Sequence, residues 1–466
     1  MLGLLNQELI LGVIIMILLV SKVIDTEWRV DTILYTVNLL LLLNFLAGFA
    51  IKAEGTLFSG MFYTNRFINL EKNMLNLATL IISLQAFNWL KTHKHILEFY
   101  MLMLSTLLGM YFMISSGNLL IFYLGLELAT IPLAAIANFD LGKRQSSEAA
   151  FKLIISSAFS SGLLLFGISL VYGTTGSLGF QTISQQLNGS SLQLFSFILL
   201  LSGFAFKISV VPFHFWTADV YQGSPVAVTS YLSVVSKAAI FFVFVPVLYI
   251  VFKSLSAMWY PMLVVLSILT MVIGNLFAIR QNNLKRLLAF SSISQVGFIL
   301  VGISGSSPAG SSSVIYFVLI YIFSNLGAFG VIGMISALTG KENITEYKGL
   351  YSTNPLLSWV LTISLFSLAG VPPTAGFFGK LFLLMAGAGR GNYALIIIAA
   401  LNMVVALYYY LRVVKAIFMD KNEQPMERLT IPVLPKIALF ICVGGIIIIG
   451  FVGWIYDYIY SLSPGF

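Results

Sequence analysis

The sequence predicts an all-α polytopic membrane protein of fourteen transmembrane helices, built as two inverted five-helix repeats with one broken helix in each. Three observations lead there. Only 9% of the 466 residues are charged and 59% are hydrophobic, whereas a soluble domain carries about 25% charged residues. Apolar runs of helical length recur to the end of the chain, with no long polar segment between them. Two of these runs are too long for one straight crossing, and each has proline near a lysine.

A membrane helix needs about 20 mainly apolar residues. That rule places spans at 4–22, 31–51, 74–90, 96–115, 118–138, 148–171, 191–220, 225–252, 258–279, 284–303, 313–338, 355–388, 392–418 and 431–459. The first is expected to be retained rather than cleaved. It has no basic leader, Glu8 opens the apolar run, and no small-residue cleavage site precedes Ser21-Lys22.

Spans 7 and 12 would make about 45 and 51 Å of helix against a core of about 30 Å. Pro212 follows Lys207 in the first, and Pro372-Pro373 precede Lys380 in the second. Proline removes a donor and frees a carbonyl, so both spans are expected to be discontinuous. They stand five spans apart. If spans 4–8 form one unit and 9–13 another, the odd count inverts the second, and such repeats place an ion site at their interface. The expected segments are 1–95, three N-terminal spans; 96–252, the first repeat; 253–420, the second; and 421–466, the last span, all in one membrane domain.

Orientation follows from Lys and Arg in the connections. Sixteen lie after odd-numbered spans and five after even-numbered ones, the five being Lys52, Arg66, Lys72, Lys253 and Arg390. The odd connections are therefore expected inside and both termini outside. The four remaining basic residues, Lys152, Lys207, Lys237 and Lys380, fall within spans.

A lysine at mid-membrane costs on the order of 2.5–3.5 kcal/mol on insertion scales. Lys237 lies about 18 Å along the axis from Pro225, too deep to reach the interface; burial favours its neutral form and so lets it load and release a proton. Lys207 stands one turn before Pro212, where freed carbonyls and water can solvate it. Glu127, in IFYLGLELATIP, is also near mid-depth, and an ion pair with Lys207 is expected. Lys380 is the matching base of the second repeat, against a competing reading as a helix-end lysine reaching the interface. Lys152 is only about four residues into its span, so snorkelling competes there. His214, just past the Pro212 break, could bridge water, and Asp219 could be an interfacial cap. Ser291, Ser292, Ser294 and Gln295 could line a water path, although serine also packs membrane helices closely. Span 10 has no glutamate matching Glu127, and span 13 no lysine matching Lys237.

Other classes are excluded. The net charge of +8 is neither clustered nor interleaved with aromatics, so no nucleic acid is expected and the lipid bilayer is the medium. Cys442 alone cannot form a disulfide framework or ligate an iron–sulfur cluster. His93 and His95 lie in a connection and only His214 at depth, which disfavours a bis-histidine haem; no metal site and no cofactor site is expected.

The run KISVVPFHFWTADVYQGSPVAVTSYLSVVSKAA from Lys207 resembles the signature of the antiporter-like membrane subunits of respiratory complex I (NADH:quinone oxidoreductase) and of Mrp cation/proton antiporters. NLKRLLAFSSISQVGFILVG at 283–302 and SLAGVPPTAGFFGKLFLL at 367–384 are similar to the family's tenth and broken twelfth helices. The resemblance covers roughly 100–420. It implies a proton relay along a buried axis formed by Glu127, Lys207, Lys237 and Lys380, with Lys152 matching a further lysine. It also implies a translocase subunit without redox chemistry of its own, with NADH, FMN, iron–sulfur clusters and quinone in partner subunits. Other complex I membrane subunits would flank it on the quinone-proximal and distal sides, in a bacterial inner membrane. Lysine on both spans 8 and 12 fits the N type best. The alternatives are an Mrp D-like Na⁺/H⁺ antiporter subunit and a passive membrane scaffold.

Overall fold

The computed structural model describes residues 2–24, 29–51, 53–422 and 426–463. Lys52, counted above among the even connections, lies outside them.

The chain is almost entirely helical. α1 (Asn6–Val23) and α2 (Val30–Ala50) lead into a small antiparallel hairpin, β1 (Gly55–Leu57) and β2 (Phe62–Thr64). Then follow α3 (Arg66–Lys91), α4 (Ile96–Ile114), α5 (Leu119–Ala137), α6 (Arg144–Thr175) and the short α7 (Phe180–Gln186). α8 (Ser191–Ile208) and α9 (Phe215–Gly223) are the two pieces of predicted span 7. Span 8 is α10 (Val226–Tyr231) and α11 (Lys237–Pro246), joined by a π turn at Leu232–Ser236 and closed by another at Val247–Val251. Next come α12 (Ser256–Ile279), α13 (Leu284–Ser304), α14 (Pro308–Thr339) and the single turn α15 (Leu350–Thr353). α16 (Pro355–Ala369) and α17 (Ala375–Ala388) are the halves of span 12. α18 (Tyr393–Phe418), α19 (Val433–Phe451) and α20 (Trp454–Leu462) complete the chain.

Among the described residues twelve helical stretches are long and apolar enough to cross a membrane. α3 is long enough but too polar to count with them, and the halves of span 12 are each too short. Helix starts follow local chemistry: Asn65, Asn118, Ser190, Asn283 and Ser307 each accept a hydrogen bond from a backbone N–H of the first turn, which satisfies one of the orphan donors there.

Burial sorts the helices. The most apolar stretch of α13 is wholly buried and that of α14 nearly so, while α1, α18 and α19 keep most of theirs on the outside. Exposed side chains such as Met16, Phe159, Val404 and Phe451 are large and apolar, as lipid contact requires. The middle of the bundle is therefore α13 and α14, with the other helices around them.

Both breaks fall where the prolines put them, at residues 209–214 and 370–374. Non-helical backbone at membrane depth must be satisfied by protein or water, and the first break meets that demand. The Val211 N–H donates to Thr270 Oγ1 at 3.1 Å, Trp216 Nε1 donates to the Phe206 carbonyl at 3.1 Å, and Thr217 donates to Ser209 Oγ at 2.7 Å.

The expectations differ from the structure in four places. Span 3 begins at Arg66 rather than 74, so Lys72 is not a connection residue but a buried one inside α3. The cause is the polar run Asn69–Asn76, which lowers hydropathy below a membrane threshold while its side chains face inward. Span 14 divides at Val452–Gly453 into α19 and α20. The hairpin and α7 are short connections with no long apolar pattern to reveal them. Finally, Glu127 and Lys207 form no ion pair within 4.0 Å, because Lys207 is taken up by hydroxyls instead.

Candidate functional site

Lys207 occupies the last turn of α8, where the chain leaves the helix through Ser209 in the left-handed region (φ 66°). Its Nζ donates to Thr130 Oγ1 of α5 at 2.9 Å and to Ser157 Oγ of α6 at 2.6 Å. Glu127 lies one turn before Thr130 on α5. Its Oε1 is buried and has no hydrogen-bond partner. Thr130 thus stands between the carboxylate's turn and the ammonium, and a bridging water has polar groups on both sides to hold it.

Lys237 follows directly on the first π turn and is 2% exposed. A π turn holds an extra residue and frequently marks a functional site. Nζ donates to Ser292 Oγ of α13 at 2.7 Å and lies 5.5 Å from the centre of the Tyr221 ring. Tyr321 of α14 donates to the same Ser292 hydroxyl at 2.9 Å and is 3.2 Å from Ser233 Oγ. A cavity of about 10 Å³ is lined by Lys237, Ser292, Gln295 and Tyr321 together with apolar side chains, close to the space one water needs.

Lys380 on α17 is fully buried. Its Nζ donates to the carbonyls of Leu368 at 2.7 Å and Ala369 at 3.2 Å, the last residues of α16. Those carbonyls have no partner along the helix and carry the negative end of its dipole, so the break solvates the ammonium. Gly370 turns the chain there with φ 85°, and a Cβ on it would come within 3.1 Å of Lys380 Cδ. A Cβ on Gly376 would sit 1.7 Å from the Ser367 carbonyl oxygen. Only glycine lets the two halves approach so closely.

Gln295 of α13 joins the second and third lysines. Its Nε2 donates to the Leu368 carbonyl at 2.9 Å, the acceptor that Lys380 uses, while the same side chain lines the cavity at Lys237. It also donates to Tyr410 OH at 3.3 Å, and Tyr410 hydrogen-bonds Ser291. Ser292 and Gln295, two of the polar residues of α13 singled out by sequence, therefore lie between Lys237 and Lys380. An ammonium held by hydroxyl oxygens can pass a proton along that bond, and an amide that donates to a carbonyl can orient a water but is a poor carrier itself.

Lys152 and Asp219 lie elsewhere. Lys152 pairs with Glu148 and Asp219, both at 2.7 Å, and Asp219 also takes Arg286 at 2.8 Å, about a 210 Å³ cavity. Their side chains are 39% and 38% exposed, so this is a partly exposed ion network. His214 is buried against Phe215 with Nδ1 unpartnered.

Beside that network opens a polar vestibule of about 640 Å³, bounded by the ends of α3, α9, α10, α13 and α14 and the connection after α5. Its lining includes His93, Asp140, Ser230, Lys285 and Glu342. Lys285 pairs with Glu342 at 3.0 Å and is almost fully buried. In the connection after α5, burial opposes ionisation of Asp140. Hydrogen bonds from Lys143 and His93 outweigh it and hold the carboxyl below its ordinary pKa. One turn on from Ser230, Ser233 Oγ lies 3.2 Å from Tyr321 OH, which donates to the Ser292 hydroxyl that Lys237 also bonds.

Sequence reasoning missed Thr130, Ser157, Tyr321 and the Lys285–Glu342 pair. The last had a signal: a basic residue in a helix's first turn opposes the dipole and calls for an acidic partner.

The family model for the membrane region of NADH:quinone oxidoreductase and Mrp antiporters matches residues 116–406. The NADH-quinone oxidoreductase subunit N of Phocaeicola vulgatus is 47% identical over 409 residues, 87% of this chain and 86% of that one. The subunit N of Pelagibacter ubique is 44% identical over 342 residues, 73% of each. A chain of respiratory complex I from Thermus thermophilus superposes with a TM-score of 0.83 at 28% identity, covering 97% of this chain and 98% of that one. A chain of the Mrp complex from Dietzia sp. superposes with a TM-score of 0.89 at 21% identity, covering 99% and 97%, a likeness of fold.

Proposed function

Because the chain belongs to the NADH:quinone oxidoreductase/Mrp antiporter family of membrane proteins, we propose that it is an N-type subunit of a proton-translocating NADH:quinone oxidoreductase and relays protons along its buried lysines. One observation carries this reading: Lys237 and Lys380, both buried at membrane depth, are bridged by Ser292, a water-sized cavity and Gln295. A structural lysine needs no such bridge.

The vestibule, on the side of the odd-numbered connections, admits a proton through Ser230, Ser233 and Tyr321 to Lys237. An ammonium formed there disfavours a second charge nearby, so the proton moves on past Ser292 and water oriented by Gln295 to Lys380. Lys207 holds the other end of the axis on Thr130 and Ser157. Glu127, with its open oxygen, tunes it through water. Lys152, His214 and Asp219 modulate entry rather than carry the proton. Electrons do not pass through this chain; NADH, FMN, iron–sulfur clusters and quinone belong to partner subunits, and membrane subunits of the same enzyme flank it on the quinone-proximal and distal sides.

The topology of this reading has fourteen crossings: the twelve apolar stretches, α3, and α16 with α17 as one broken span. The broken spans then stand five apart, in inverted repeats covering 96–252 and 253–420, with 1–95 and 421–466 flanking them. Both termini face out of a bacterial inner membrane. The relatives at 47% and 44% identity favour this over the Mrp reading, for which the likeness is one of fold.

The test uses the assembled enzyme in proteoliposomes, comparing quinone reduction with proton uptake. Lys237→Ala and Lys380→Ala should each assemble and lose most proton uptake per electron. Normal pumping by either variant would sink the relay at that residue and favour a scaffold.

A further inference from the structure

A second set of buried titratable groups lies outside this axis, at the outer end of the three N-terminal helices. Glu8 of α1, Glu71 and Lys72 of α3 are 4%, 3% and 1% exposed. Lys72 Nζ meets Glu8 Oε1 at 2.5 Å. Glu71 makes no ion pair within 4.0 Å among the described residues. Two carboxyls therefore share one ammonium in a buried part of the bundle. A bare second anion there would be strongly disfavoured, and a proton removes it.

The surroundings are polar. Glu8 Oε2 and Asn73 Oδ1 are buried without a hydrogen-bond partner, and the Asn44 amide, 2% exposed, faces Tyr111 OH. Tyr111 faces both Asn44 and Glu8, and its ring lies 5.9 Å from Lys72 Nζ. Gly48 of α2 lets these side chains pack closely: a Cβ there would fall 2.4 Å from Asn73 Oδ1 and 2.9 Å from Gln7 Nε2. Orphaned polar atoms at this depth call for ordered water. Above them the Phe62 ring of the hairpin lies 5.2 Å from Lys72 Nζ.

A line of polar residues leads inward from the site. The buried polar residues of α3 continue inward at helical spacing, Lys72, Asn76, Thr79 and Ser83, which puts them on one face. Thr79 approaches Tyr231 of α10, whose hydroxyl accepts from Thr106 at 2.8 Å. Tyr231 borders the π turn that precedes Lys237.

We propose that Glu8, Glu71 and Lys72 form a second proton-binding site, with hydrated Asn44, Asn73 and Tyr111 around it, and that it exchanges with the central helix along the inward face of α3. This rests on the relay reading and supplies its outward limb. A proton leaving the Lys237 region passes Tyr231, Thr79 and Asn76 by way of water, protonates the spare carboxylate, and leaves beneath the hairpin. The titratable group facing it from α4 is Tyr111.

The test again uses the assembled enzyme in proteoliposomes. Lys72→Met alone strands Glu8 and can fail to assemble, so the deciding variants are E71Q and the paired E8Q/K72M, which removes both charges together. Both should assemble and reduce quinone, with less proton uptake per electron and an altered pH profile. Infrared spectra of the wild type should show a carboxylic C=O band that shifts in D2O, is lost in E71Q, and persists in E8Q/K72M, where Glu71 keeps no ammonium beside it. Unchanged uptake and pH profile in both variants, or no such band in the wild type, would overturn the proposal. Lys237→Ala run alongside separates the two readings: if it stops uptake while the N-terminal variants do not, only the second site falls. If Lys237→Ala pumps normally, the relay itself has failed.

Discussion

An ammonium in an apolar run stands out because so little can accommodate it, which is why Lys207, Lys237 and Lys380 were legible at once. Their partners were not. Thr130, Ser157, Ser292 and Tyr321 are residue types that membrane helices use routinely for close packing, and only the fold distinguishes a hydroxyl aimed at an ammonium from one bonded to its own backbone. Lys72 escaped for the opposite reason. Its neighbours Asn69, Asn73 and Asn76 looked like a polar connection, although their spacing of three and four was itself the sign of a helical face. At this scale Asp140 gives a pH prediction. Its folded-state pKa is depressed by Lys143 and His93, so the stabilisation is present above the unfolded carboxyl pKa and is lost as pH falls through the folded value. Thermal unfolding in detergent should therefore show an acid-side decline that is shallower in Asp140→Asn; an unchanged decline would mean the carboxyl contributes nothing.

The elements that mattered most were the ones that stop. Both breaks were readable from proline near lysine, because a proline inside a span leaves backbone groups that something else must satisfy. What satisfies them was not readable: Thr270 for the first break, and for the second Lys380 with Gln295. The unforeseen division at Val452–Gly453 has no proline to announce it. The fit at the second break yields the next prediction. A methyl on Gly376 would overlap the Ser367 carbonyl, and neither backbone can yield without moving Lys380. Gly376→Ala should cost about 1–3 kcal/mol of stability, read as a lowered unfolding temperature of the purified protein. Wild-type stability would mean that the halves are not so tightly joined.

For the whole molecule, composition alone was enough to make it a membrane protein, and α13 and α14 fill the middle of its bundle. Orientation is the global property that the charge asymmetry predicts, even with Lys72 removed from the count and Lys52 undescribed. The sole cysteine, Cys442, is fully buried, so single cysteines can be introduced without background. Ser59→Cys in the hairpin turn should react with an impermeant maleimide from outside intact cells, and Lys94→Cys only after the inner face is opened; the reverse pattern would invert the topology.

The two π turns of span 8 bracket the segment that carries Lys237. Each stores one residue more than an α-helical turn needs, so the stretch between them has an azimuth independent of either end. Were the first bulge to migrate by a residue, Lys237 would swing by about 100° with the ends of the span unmoved. The amine would trade the Ser292 side for another face of the bundle, a selector position set by slack in the backbone rather than by tilting a rod.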